Sequence, residues 1–136
     1  MKTLLPLMMR AAVLHSYETG SLEIQNIPIP KLKSGEVLIR MEAAAINPSD
    51  LVFLRGQYGI KKKLPIVPGF EGAGVVVSAQ GSEARLLLNQ RVACRAPENG
   101  HGVWAEFLKN LFHNYAIRRL ASLKVKVFSY SFLYTL

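Results

Sequence analysis

Along the body of the chain, hydrophobic and polar positions form short runs broken by proline and glycine. Residues 36–46 (EVLIRMEAAAI) are the clearest case: Val37, Ile39 and Met41 alternate with Glu36, Leu38, Arg40 and Glu42. A period of two predicts a strand buried on one face. Residues 10–15 (RAAVLH) and 22–27 (LEIQNI) predict two more strands, split at Thr19-Gly20. Pro28 and Pro30 bar the following stretch from a central strand, because proline lacks the ladder donor. Ser34-Gly35 supplies a turn. Asn47 suits a helix N-cap and Pro48 the first helical position, with Leu51, Leu54 and Arg55 carrying a turn or two before Gly56. Pro65 and Pro68 lead into a β-branched strand at 72–79, followed by predicted strands at 89–96 (NQRVACRA) and 101–107 (HGVWAEF). Short strands, many turns and little helix predict a mainly β fold, an irregular β-barrel or sandwich with a small helix.

Composition narrows the function classes. At 136 residues the chain is long enough for one domain, and half of it is hydrophobic, so a globular fold is expected over disorder. The formal charge of +8 is unevenly spread. Residues 1–107 hold 12 Lys/Arg against 9 Asp/Glu, whereas 108–136 hold 5 Lys/Arg and no acid. The body is therefore only mildly basic, which argues against a nucleic-acid face. Lys61, Lys62 and Lys63 read as a solvated loop or as a patch favouring an anionic substrate. The lone Cys94 rules out an internal disulfide and a cysteine-rich zinc lobe, and reads as a small buried hydrophobe.

The amino terminus (MKTLLPLMMR) starts like a secretory signal, but its apolar run is short, contains Pro6 and is interrupted by Arg10. No segment reaches the ~18–20 apolar residues of a membrane span. The expected division is an N-terminal extension at 1–9, a β domain at 10–107 and a divergent basic tail at 108–136, with the cytoplasm as location and the mitochondrion as the alternative. Gly72-Ala73-Gly74 and Gly100-His101-Gly102 do not complete a dinucleotide fingerprint, and neither opens a helix after a strand.

Five segments in order, RAAVLH, GEVLIRMEAAAINPSD, LPIVPGFEGAGVV, QRVA and GVWAEF, resemble the N-terminal catalytic domain of the medium-chain dehydrogenase/reductase superfamily. This is the alcohol dehydrogenase GroES-like domain, and the likeness runs from about Arg10 to Phe107. It implies a GroES-like irregular β-barrel with one or two short helices. Where zinc enzymes of the superfamily carry a cysteine ligand, this chain has Asn47; where they carry histidine in Gly-His-Glu, it has Phe70 in Gly69-Phe70-Glu71. Catalytic zinc needs three nitrogen, sulfur or carboxylate ligands. His15, His101 and His113 show no ligand spacing, so no metal site is expected.

The resemblance then moves to the zinc-free quinone oxidoreductases and the mitochondrial-type enoyl thioester reductases, in which Asn-Pro-Ser-Asp precedes Gly-x-Tyr. Here Asn47-Pro48-Ser49-Asp50 leads to Gly56-Gln57-Tyr58. By that likeness, Tyr58 is the candidate catalytic residue, a proton donor or substrate-orienting hydroxyl. Asn47 is the candidate cofactor-binding residue, a polar contact near nicotinamide or substrate. Hydride addition to an unsaturated carbonyl builds enolate charge, which a phenol can stabilise without a metal. For the same residues the alternative reading is structural: Tyr58 packing on the barrel, Asp50 bonding nearby backbone amides, Glu71 bracing the start of a strand, Trp104 filling the core.

The family implies NADPH held by a Rossmann domain, and no such motif follows Phe107. Two expectations attach to residues 108–136: a weak helical stripe through Leu108, Leu111, Phe112 and Tyr115 with a strand-like run at Val125 and Val127, or frameshifted sequence. The leading expectation is the substrate-side domain of an NADPH-dependent oxidoreductase acting on an enone, quinone or enoyl thioester, inactive alone. The alternatives are a non-catalytic interaction module or a truncated gene product, in either case a possible homo-oligomer or aggregate.

Overall fold

In the computed structural model of the chain, residues 4–113 and the backbone of 117–119 are described. Strands β1 (Met8–Leu14) and β2 (Leu22–Pro28) form an antiparallel pair. A second antiparallel sheet comprises β3 (Glu36–Ala44), β4 (Glu71–Ala79), β5 (Arg91–Arg95), β6 (Phe107–Leu111) and β7 (Ile117–Arg119), in the order β6-β3-β4-β5-β7. One helix, α1 (Pro48–Leu54), and a 3-10 turn at Ala84–Leu87 complete the described elements. This is the expected mainly β barrel. No helix among the described residues is long and apolar enough to cross a membrane.

The core is continuous between the sheets. Leu14, Val37, Ile39, Val67, Val76, Val92, Val103 and Ala105 have no exposed surface. Each buried Val, Leu or Ile contributes on the order of 1.5–3 kcal/mol of burial. Cys94 lies in this core, its thiol pushed up to about 12 by burial. It is therefore an inert hydrophobe, as its neighbours suggested.

Four local expectations are corrected. First, β1 begins at Met8, and Met9 is buried opposite Ile27, so two residues assigned to the extension belong to the sheet. Second, Leu38 is buried along with Val37 and Ile39. A register irregularity between Leu38 and Ile39 breaks the strict alternation, as a bulge does. Third, 101–106 is not a strand, and of the expected run only Phe107 enters one, as the first residue of β6. Gly102, Val103 and Trp104 donate backbone N–H bonds to Val67, Gly69 and Pro68, and Pro68 has no N–H to return, so a regular ladder cannot form. Only Ala105 makes an isolated bridge, to Ala11.

Fourth, Leu108 and Leu111 are not on a helix. They lie in β6, which pairs with β3 from Glu36↔Leu111 to Arg40↔Phe107 and buries Leu108 and Asn110. The folded unit thus takes in the beginning of the segment expected to diverge. Asn110 donates its amide to the Arg95 carbonyl, which explains a buried polar side chain there. Tyr115, Val125 and Val127, and the expectations that rest on them, fall outside the described residues.

Candidate functional site

The site is assembled where α1 meets the start of β4. Asn47 sits in extended backbone and Pro48 opens the helix, as expected. Asp50 is fully buried. Its Oδ2 accepts the Asn47 backbone N–H at 2.7 Å, and its Oδ1 accepts the Phe70 backbone N–H at 3.0 Å. One carboxylate therefore caps α1 and fastens Phe70 to it. Burial holds the carboxyl above the usual range, against the lowering effect of the two N–H donors. This is the backbone-bonding role that Asp50's sequence context allowed.

Phe70 and Glu71 are neighbours in the chain and hold the two predicted site residues. The Tyr58 ring lies on Phe70 with centroids 5.0 Å apart and planes tilted by 40°. The Asn47 side-chain Nδ2 donates to Glu71 Oε1 at 2.7 Å. Because a carboxylate only accepts, this bond fixes which end of the Asn47 amide faces Glu71. Tyr58 keeps 36% of its surface exposed, and no hydrogen bond among the described residues engages its hydroxyl. Ile46, Leu51, Val52 and Ile60 are exposed apolar residues of the same segment.

Behind Phe70 the aromatic packing continues inward. Phe70 meets Phe53 edge-on at 5.5 Å, and Phe53 meets Tyr17 edge-on at 5.7 Å. Trp104 is buried and donates its indole N–H to the Ala45 carbonyl at 3.0 Å, so it also tethers the segment entering α1. Gly69 has a positive φ of 97°, and a Cβ there would overlap the Trp104 indole.

Below the tyrosine loop, His101 Nδ1 accepts the Val67 backbone N–H at 3.1 Å. Burial and the nearby Lys62 cation both lower its pKa, favouring the neutral ring that this bond requires. Lys62 donates its ammonium to the carbonyls of Pro97 and Gly100, at 2.9 and 3.0 Å. Burial lowers its pKa as well. Sequence reasoning placed Lys62 in a solvated run and did not single out Tyr17. The available signal was an aromatic residue in the turn HSYETG, which needs a partner if its ring is half buried.

Among the described residues, no group of three His, Cys, Asp or Glu side chains could hold a metal ion. Phe70, at the position compared in the sequence with the histidine of the zinc enzymes, has its ring packed between Tyr58 and Phe53. β3 does run into α1, but their connection, Ala45-Ile46-Asn47, contains no glycine and so is not the glycine-rich turn that receives a dinucleotide pyrophosphate. Gly72 and Gly74 instead let β4 approach β3, where a Cβ would overlap the carbonyl oxygens of Ala43 and Arg40.

Comparison with known proteins bears on the fold and the family. Residues 33–115 match the alcohol dehydrogenase GroES-like domain. The chain is 39% identical over 84 residues to an alcohol dehydrogenase of Geobacillus stearothermophilus, a stretch that spans 62% of this chain and 24% of that one. It is 35% identical over 91 residues to the mitochondrial enoyl-acyl-carrier-protein reductase of Mus musculus, covering 66% of this chain and 24% of the relative. Among solved structures it is similar to the quinone oxidoreductase of Thermus thermophilus, studied with NADPH, at a TM-score of 0.68 and 30% identity. That likeness covers 84% of this chain and 33% of the other. The chain thus spans about a quarter of the length of the curated relatives it matches.

Proposed function

The chain belongs to the alcohol dehydrogenase GroES-like domain family, and we propose that it forms the substrate side of a zinc-free, NADPH-dependent reductase of unsaturated carbonyls or quinones. The observation that supports this reading is that two adjacent residues, Phe70 and Glu71, contact the Tyr58 ring and the Asn47 amide respectively. The donor set there does not fit zinc. Asn47 is an amide engaged with Glu71, Phe70 offers no lone pair, and Asp50 is spent on two backbone N–H groups.

NADPH, when bound, supplies a hydride to the substrate. The described residues then have one electrostatic task, which is to stabilise the negative charge that develops on the carbonyl oxygen. Tyr58 donates a hydrogen bond to that oxygen from a ring held against Phe70. The second N–H of Asn47, beyond the one given to Glu71, remains as a polar contact for cofactor or substrate. The exposed Ile46, Leu51, Val52 and Ile60 form an apolar rim that would limit water once covered. A domain of 10–107, extended at its start by Met8 and Met9 of β1 and at its end by β6, is the unit we assign to this role. A cytoplasmic or mitochondrial location both suit it.

Purified 136-residue polypeptide, incubated with NADPH and either an enone or a short enoyl thioester, is expected to oxidise NADPH at the background rate. The reason is that the described residues provide a proton-donating half-site and no dinucleotide cradle. Sustained turnover by the polypeptide alone would contradict the half-site assignment.

A further inference from the structure

We propose that Tyr17 is a positioning residue that fixes the loop carrying Tyr58; the proposal rests on the reading of Tyr58 as the substrate-facing hydroxyl. Tyr17 belongs to the turn between β1 and β2, remote in sequence from that loop. Its ring is seated edge-on against Phe53 of α1. Its hydroxyl donates to the Lys62 carbonyl at 2.9 Å and accepts the Lys62 backbone N–H at 2.8 Å. A single side-chain oxygen thus satisfies both polar groups of one loop residue, as a strand partner would.

The other end of the loop abuts the same residue. Gly56 ends α1 with a φ of 66°, and its N–H returns to the Phe53 carbonyl at 2.9 Å. A Cβ at Gly56 would stand only 3.0 Å from the Tyr17 Cβ. Tyr17 therefore sets the position of the loop where it leaves the helix and again at Lys62. The Lys62 ammonium carries the tie onward to Pro97 and Gly100. Its partners are carbonyls, so it acts as a fastener rather than half of an ion pair. Tyr58 lies between these two anchor points, and its stacking on Phe70 depends on where they hold it.

The test is amide hydrogen exchange, read residue by residue by NMR on the full 136-residue chain, comparing wild type with Tyr17→Phe. The substitution removes only the hydroxyl and keeps the ring on Phe53. The Lys62 amide is expected to exchange roughly five- to tenfold faster, the factor that loss of one net hydrogen bond implies. The ring contact between Tyr58 and Phe70 should weaken with it, while amides of β3 and β4 keep their wild-type rates. Tyr58→Phe should leave the Lys62 amide unchanged. An unchanged Lys62 rate in Tyr17→Phe, or a uniform increase across the sheet, would overturn the proposal. Because this readout involves no ligand, its failure leaves the assignment of Tyr58 to be judged separately, by ligand titration.

Discussion

Asp50→Ala is expected to cost about 3 kcal/mol of folding stability. The carboxylate is fully buried and its two oxygens serve two different backbone donors, Asn47 N–H and Phe70 N–H. Truncation leaves both unpaired. A buried donor left without a partner costs about 1–3 kcal/mol. Asn47 remains as the N-cap residue, so only the Asp50 half of the capping box is lost. Asp50→Asn should lose less, because one acceptor oxygen survives. The two variants are compared by urea unfolding.

The raised pKa of Asp50 makes its contribution pH-dependent. A carboxyl whose folded pKa lies above its unfolded value contributes stability that is fully present below the unfolded value. That contribution is lost as pH rises through the folded one. The stability advantage of wild type over Asp50→Asn should therefore be larger in mild acid than at neutral pH. The substitution also reaches the site, because Phe70 loses its tether and Tyr58 rests on Phe70.

Gly74→Ala is expected to be comparably severe, at about 3 kcal/mol, for a reason rooted in the sheet. Gly74 pairs with Met41 on one side and Val92 on the other, at the centre of the sheet. A Cβ there would overlap the Arg40 carbonyl oxygen and stand 2.9 Å from the Ile39 Cγ2. Backbone atoms cannot swing aside as a flexible side chain can, so β3 and β4 must separate. Gly59→Ala is the control. Its Cβ would meet nothing within 4 Å and its φ is not positive, so thermal unfolding should shift little. A Gly74→Ala protein as stable as the Gly59→Ala protein would contradict the close approach of the two strands.

The glycine pair at 72 and 74 shows how far the sequence could be read. Spacing alone rejected a dinucleotide fingerprint, but the positive reason for these glycines is a contact with a strand some thirty residues earlier. No local pattern carries that information. Helix α1 was legible because its signals are local: Asn47, Pro48 and Gly56 act on their immediate neighbours. The strands at 22–28 and 71–79 were legible from period and β-branching. The run at 101–107 misled because its residues have strand propensity, while its partner contains Pro68 and cannot complete a ladder. Residues 108–111 misled in the opposite sense. Leu108 and Leu111 suggest a helical stripe, yet β3 offers an edge and takes them as a strand.

The site divides in the same way. Asn47, Asp50, Tyr58 and Glu71 were singled out from one loop and one strand start, and the structure shows how each is held. Tyr17, Lys62 and His101 were invisible as a group, since they come from three distant segments. Their association depends on hydrogen bonds to backbone atoms, for which side-chain spacing gives no cue. The family likeness supplied the candidate roles of Tyr58 and Asn47. The structure supplied the physical link between them, through the first residue of β4 and the residue before it.

The central claim, that Tyr58, resting on Phe70, faces a carbonyl ligand close to the Asn47–Glu71 pair, is tested most directly by titrating the isotopically labelled chain with an enone or a short enoyl thioester. The expected result is a set of NMR shifts confined to Tyr58, the Asn47 side-chain amide, Glu71 and the rim around Ile60, with the Tyr58 response lost in Tyr58→Phe. Shifts that gather elsewhere on the barrel while Tyr58 and Asn47 stay unmoved would contradict it.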